Sequence, residues 1–156
     1  MLRFPLLLAV SCSIPQPALA ADCPDGRAAR GGFVLERKGT RAEVRPASDH
    51  FVHVANVYPG GKKQDVIYFR GLFPVSRFDD SARSINIPLS DLRTIFPLAV
   101  KTRRALTYAP SQPGKVGASV SLELTVTGQE HIRLGSCSYE VLVIRNRFMN
   151  AEGRVT

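Results

Sequence analysis

Between residues 119 and 127 apolar and polar side chains alternate without a break: Val120, Leu122, Leu124 and Val126 are separated by Ser121, Glu123 and Thr125. Successive side chains of an extended strand point to opposite faces, so a period of two buries one face and wets the other. A chain with this pattern must form a sheet. The same grammar recurs along most of the sequence. Residues 139–147 contain Val141-Leu142-Val143-Ile144, a β-branched run continuous enough to predict a central strand covered on both faces. Thr127-Gly128-Gln129-Glu130 reads as a turn, residues 131–134 as resumed strand, and Gly135 as a bulge or bend. Toward the N-terminus, strands at 33–35 and 41–45 flank Arg37-Lys38-Gly39-Thr40, a hairpin with glycine at its turn. Residues 51–58 form a longer strand that ends at Pro59-Gly60-Gly61-Lys62, and 65–70 and 98–108 add two more. Only residues 90–96 read as helix, with Ser90 as N-cap, Asp91 suiting the dipole and Pro97 as the stop. The expected fold is all-β: an antiparallel curved sheet or barrel-like meander of about seven or eight strands, plus that one short helix.

The first twenty residues have another character. Met1-Leu2-Arg3 gives one positive charge, residues 4–10 are apolar, and Ala18-Leu19-Ala20 places small residues at the −3 and −1 positions of a leader-peptidase site. Cleavage near Ala20 is expected, which predicts a periplasmic or secreted protein and a single β-rich domain over residues 21–156. The run is too short and too interrupted by Pro5, Pro15 and Pro17 to span a bilayer, and no other segment approaches that length. Removal of the leader takes Cys12 and leaves Cys23 and Cys137, for which one pairing exists. In an oxidising compartment they are expected to form a disulfide. A reactive thiol is disfavoured, because there is no Cys-x-x-Cys and neither cysteine has a histidine neighbour in sequence to lower its pKa.

The segment Val126-Thr127-Gly128-Gln129-Glu130-His131-Ile132-Arg133-Leu134-Gly135-Ser136-Cys137-Ser138-Tyr139 resembles a stretch of uncharacterised bacterial periplasmic or envelope β-rich proteins, whose pattern runs V-x-G-x-E-x-[IV]-x-[VL]-x-[AG]-G-x-[FY]. Leu92-Arg93-Thr94-Ile95-Phe96-Pro97-Leu98 is similar to the L-x-x-[FW]-P-L that precedes it in such chains. The resemblance covers residues 90–147, implies an envelope-associated β domain and carries no catalytic residue. Cys137 stands where many of those proteins have threonine or another small residue, and the aromatic hairpin that usually follows there is absent. Residues 148–153 read as a turn and 154–156 as the start of a strand. The expectation is therefore either a domain that lacks its final strand or, where residue 156 is the natural end, an edge of 139–147 that recruits a strand from a partner or a second copy.

Chemistry is sparse. Asp49-His50-Phe51-Val52-His53 holds an acid and two histidines, but positions 50 and 53 of one strand point to opposite faces, so no metal site is expected. Glu130-His131 beside a turn reads as solvent-facing. Asp79-Asp80 reads as an exposed loop with local charge pairing and offers too few oxygens for calcium. There is no phosphate-binding loop, dinucleotide fingerprint or nucleophile elbow, and no cofactor is expected. The positive charge is the remaining clue. The formal net charge is +8, of which the leader removes one, and Lys101, Arg103 and Arg104 form a run to which Lys62, Lys63, Arg145 and Arg147 add. Export and the lack of a stacking-aromatic motif argue against nucleic acid. The anions left are lipid headgroups, lipopolysaccharide phosphates and cell-wall polymers. The expected role is a non-catalytic binding or structural module for such an anionic or amphiphilic component, with Lys101, Arg103, Arg104, Arg145 and Arg147 as the anion-binding residues. The competing roles are a hydrolase with a dispersed active site and a scaffold that binds another envelope protein through a sheet edge.

Overall fold

A computed structural model describes residues 23–155, so the expected leader lies outside the described residues. The chain forms β1 (Phe33–Arg37), β2 (Thr40–Ser48), β3 (Phe51–Val57), β4 (Lys63–Phe69), β5 (Phe73–Asp79), β6 (Arg83–Pro88), β7 (Arg103–Gln112), β8 (Lys115–Val116), β9 (Val120–Leu134) and β10 (Cys137–Met149). All pairs are antiparallel, and the strands lie in the order β1-β2-β3-β4-β5-β6-β7-β9-β10, with the short β8 paired to β7. The result is one curled sheet, a half-barrel with β1 and β10 as its edges. Its sequential order follows from short connections between neighbouring strands, with the longer segment 89–102 joining β6 to β7. Lys38 and Gly39 both take positive φ (48° and 79°), the requirement of a two-residue turn whose twist matches the flanking strands.

The all-β expectation holds, with ten strands where seven or eight were expected. The added strands are β5, β6 and β8, of which β5 and β6 were hidden by proline. Pro74 sits at a register shift: Tyr68 pairs with Pro74 and Ile67 with Ser76, so Val75 is the extra residue of a bulge. Bulges tolerate a missing N–H. The expected turn at 127–130 is also a bulge, because Gly128 pairs with Val143 and Val126 with Ile144, and β9 runs on past Thr127. Gly135-Ser136 is the hairpin turn. The strand expected at 98–108 starts later, at Arg103, after a turn in which Lys101 has φ 70°. The 139–147 run, expected at the centre of the sheet, is its edge strand β10.

The inner face of the sheet carries the core. Phe69, Phe73, Leu106, Leu122 and Leu124 are buried there together with Leu92 and Ile95, and Phe51, Val75, Phe96 and Tyr108 pack around them. Aromatic edges meet faces within it, as Phe51 on Phe69 and Phe73 on Tyr108. Leu92 and Ile95 come from the segment expected to be helix. Only one 3₁₀ turn forms there, at Leu92–Ile95, and the α-helical turn among the described residues lies instead at Ala28–Gly31, ahead of β1. Ser90 does not cap the 3₁₀ turn. Its hydroxyl donates to the Thr107 carbonyl and accepts from the Thr107 N–H, which ties the segment to β7. Asp91 caps instead, accepting from the Arg93 N–H at 2.9 Å and from the Arg93 guanidinium.

Those bonds, first from the Arg93 side chain and then from its backbone N–H, lower the Asp91 carboxyl to about 2. An unfolded aspartate titrates near ~3.9, so the contribution of the carboxylate is complete above that value and is lost as the pH falls toward about 2. In urea titrations across this window, the advantage of wild type over Asp91→Asn is expected to shrink with falling pH. A constant difference would contradict the role given to the ionised cap.

Candidate functional site

Residues directly opposite one another in an antiparallel pair share a face. Across β7, β9 and β10 one row reads Arg103, Thr125, Arg145 and the next reads Ala105, Glu123, Arg147. Both rows are on the outer face, because the alternate residues Leu106, Leu122, Leu124 and Val126 are buried on the inner one. Arg103 and Arg145 lie two strands apart, roughly 10 Å by strand spacing. The sheet thus gathers three arginines around a single acid. Glu123 is largely covered and accepts from the Arg103 guanidinium, whose pKa is raised by that bond. Arg145 and Arg147 are exposed. With one of the three arginines bonded to Glu123, two positive charges remain to act on the surroundings within a screening length of about 8 Å.

Of the five basic residues singled out from sequence, the structure brings Arg103, Arg145 and Arg147 together. It does not bring Arg104, which shares its row with Leu124 and Asn146 on the inner side and donates to the Arg103 carbonyl. Lys101 stands exposed in the turn before β7. Cys23 and Cys137 are joined, with Cα atoms 5.5 Å apart, across a sequence separation of 114. The bridge links β10 to the segment leading into β1, so the two edges of the half-barrel are tethered to one another.

The remaining candidates disperse. His50 places its ring 6.0 Å from Phe69, while His53 Nε2 lies 2.7 Å from Asp65 Oδ1 across β3 and β4. Asp79 is not in a loop. It ends β5 and accepts from the Gln64 amide at 2.8 Å and from Arg77, which lower its pKa, the arginine foremost. Its partner is Arg77, from within its own strand. Among the described residues no group of three or more His, Cys, Asp or Glu side chains is placed to hold a metal. No helix of the described residues is long and apolar enough to cross a membrane.

Among the described residues the inner face holds a mostly enclosed cavity of about 150 Å³, lined by Phe73, Leu106, Tyr108, Leu122, Asn86 and Asn146 among others. Burial raises the Tyr108 phenol. Apolar cavities of ~150 Å³ hold a benzene-sized guest, and drug-sized ligands need roughly 300–1,000 Å³. The inner face of the half-barrel is therefore mostly filled by its own side chains. A feature missed from sequence lies on β6, where Ile85 and Ile87 remain about two-fifths exposed on the face opposite Asn86, followed by exposed Leu89. Their alternation with Asn86 and Pro88 was the available signal.

These features define a disulfide-tied antiparallel half-barrel with an arginine-bearing outer face. Comparison with known proteins yields no family model, no curated protein and no solved structure that matches the chain.

Proposed function

We propose that this chain is a non-catalytic module of the bacterial envelope that adheres to an anionic component through the outer face of β7, β9 and β10. The observation that carries the reading is the convergence of Arg103, Arg145 and Arg147 on one face around the single acid Glu123. A surface of this kind attracts phosphate or carboxylate groups, whether of lipid headgroups, lipopolysaccharide or cell-wall polymers. The leader-like residues 1–20 and the Cys23–Cys137 bridge support the choice of compartment, since both fit an oxidising space outside the cytoplasm. So does the resemblance of residues 90–147 to envelope proteins. The small inner cavity favours surface adhesion over carriage of a lipid tail.

Co-sedimentation tests this reading. Retention on vesicles containing anionic phospholipid, or on lipopolysaccharide, is expected to exceed that on neutral phosphatidylcholine and to fall several-fold from low to high salt. Parallel arms with the phospholipid, lipopolysaccharide and isolated cell-wall polymer identify the source of the anion. Equal retention on neutral and anionic vesicles would reject the proposal.

A further inference from the structure

β10 is thirteen residues long, carries the apolar run Val141-Leu142-Val143-Ile144 and has β9 on one side only. On its other side, among the described residues, the only pairing is the bridge from Met149 to Val155. This leaves the backbone of residues 138–148 with a row of outward N–H and C=O groups, the arrangement that templates addition of another strand. The opposite edge of the sheet, β1, is only five residues long and could cover less than half of that stretch.

We infer that β10 pairs antiparallel with β10 of a second copy of this chain, about a twofold axis through Val143 that joins the two half-barrels into one continuous sheet. A twofold that pairs a strand antiparallel with itself stands perpendicular to the sheet, so paired positions share a face and their numbers differ by an even amount. The open stretch, 138–148, is centred on Val143, and an axis there pairs all of it. Leu142 then faces Ile144, Val141 faces Arg145, Glu140 faces Asn146 and Tyr139 faces Arg147 of the other copy. No like charges oppose one another, apolar residues meet at the centre, and each arginine outside it meets a tyrosine ring or an aliphatic side chain that its stem can cover. An axis at Arg145 would instead set that charge against itself. Because the axis is perpendicular to the sheet, the arginine rows of both copies lie on the same side of the dimer. The inference does not depend on the anion-binding reading.

The test uses the oxidised, full exported chain. Sedimentation equilibrium is expected to show a monomer–dimer equilibrium in the micromolar range. Val143→Cys is expected to cross-link into a covalent dimer under mild oxidation. Val141→Cys is expected to stay unlinked, since the two copies of that position would lie roughly 13 Å apart along the strands, beyond disulfide reach. Val143→Lys, which opposes two charges at the axis, is expected to weaken the dimer at least tenfold while the Cys23–Cys137 link and the far-ultraviolet β signal persist. A wild-type monomer at all concentrations would overturn the inference, whether another protein or another segment of the chain covers the edge. So would equal cross-linking at positions 141 and 143, or a dimer indifferent to Val143→Lys.

Discussion

Cys137→Ser is expected to destabilise the oxidised protein by about 4–5 kcal/mol, the chain-entropy value for a loop of this length. The bridge closes 114 positions of sequence, so in the unfolded ensemble it removes the freedom of nearly all the described chain. The folded state uses it differently. Nine residues separate Cys23 from β1, and Cys137 opens β10, so the link holds the first and last strands of an open sheet within a tether of at most roughly 35 Å. A domain of ordinary stability has about 5–15 kcal/mol in all, so the variant should be close to unfolding at physiological temperature. Cys23→Ser should match it, and the double variant should cost no more than either single one, because one bridge is lost in every case. Urea midpoints of oxidised wild type and the three variants test this. A loss under about 1 kcal/mol would mean that the two edges are held by packing alone.

Ile95→Ala should cost about 2–5 kcal/mol, the range for deleting a fully buried aliphatic side chain. Ile95 is 0% exposed although it belongs to a four-residue turn between two strands. With Leu92 it lies against Phe69, Phe73, Leu106 and Leu122, and so closes the inner face that a half-barrel would otherwise leave wet. The turn is held by Asp91 at its start and by Ser90 on β7, so it cannot readily sink to fill the void. Leu89→Ala, six residues earlier and 58% exposed, should change stability by less than about 0.5 kcal/mol. Chemical denaturation should show a lower midpoint with an unchanged slope for Ile95→Ala and neither change for Leu89→Ala. Equal effects of the two would mean that the turn lies on the sheet without sealing it.

What could be read from the sequence was what side-chain periodicity and turn chemistry determine. The alternation of Val120 through Val126 placed Leu122, Leu124 and Val126 in the core, and Lys38-Gly39 marked a true hairpin. The pairing of Cys23 with Cys137 followed from there being one possible partner. Composition alone did not place the run within the sheet, because Val141–Ile144 has the same composition at an edge as at the centre. Proline hid β5, since Pro74 reads as a strand breaker until its bulge is seen, and Gly128 read as a turn where it lies beside one extra residue of β9. The basic residues were found as a run in sequence, and alternation divided them. Arg103 and Arg104 are neighbours in the chain and lie on opposite faces of the sheet, whereas Arg145 and Arg147, far along the chain, join Arg103 through β9.

That rearrangement separates adhesion by a defined face from attraction by net charge, and one comparison decides between them. Arg145→Gln/Arg147→Gln and Lys62→Gln/Lys63→Gln each remove two exposed positive charges, the first pair from the arginine face and the second from around the β3–β4 turn. Binding of both variants and wild type to anionic vesicles should be measured side by side at one low ionic strength. The arginine variant is expected to lose most of its retention while the lysine variant keeps most of it. Equal losses would show that net charge alone draws the protein to the surface and would contradict an adhesive face on β7, β9 and β10.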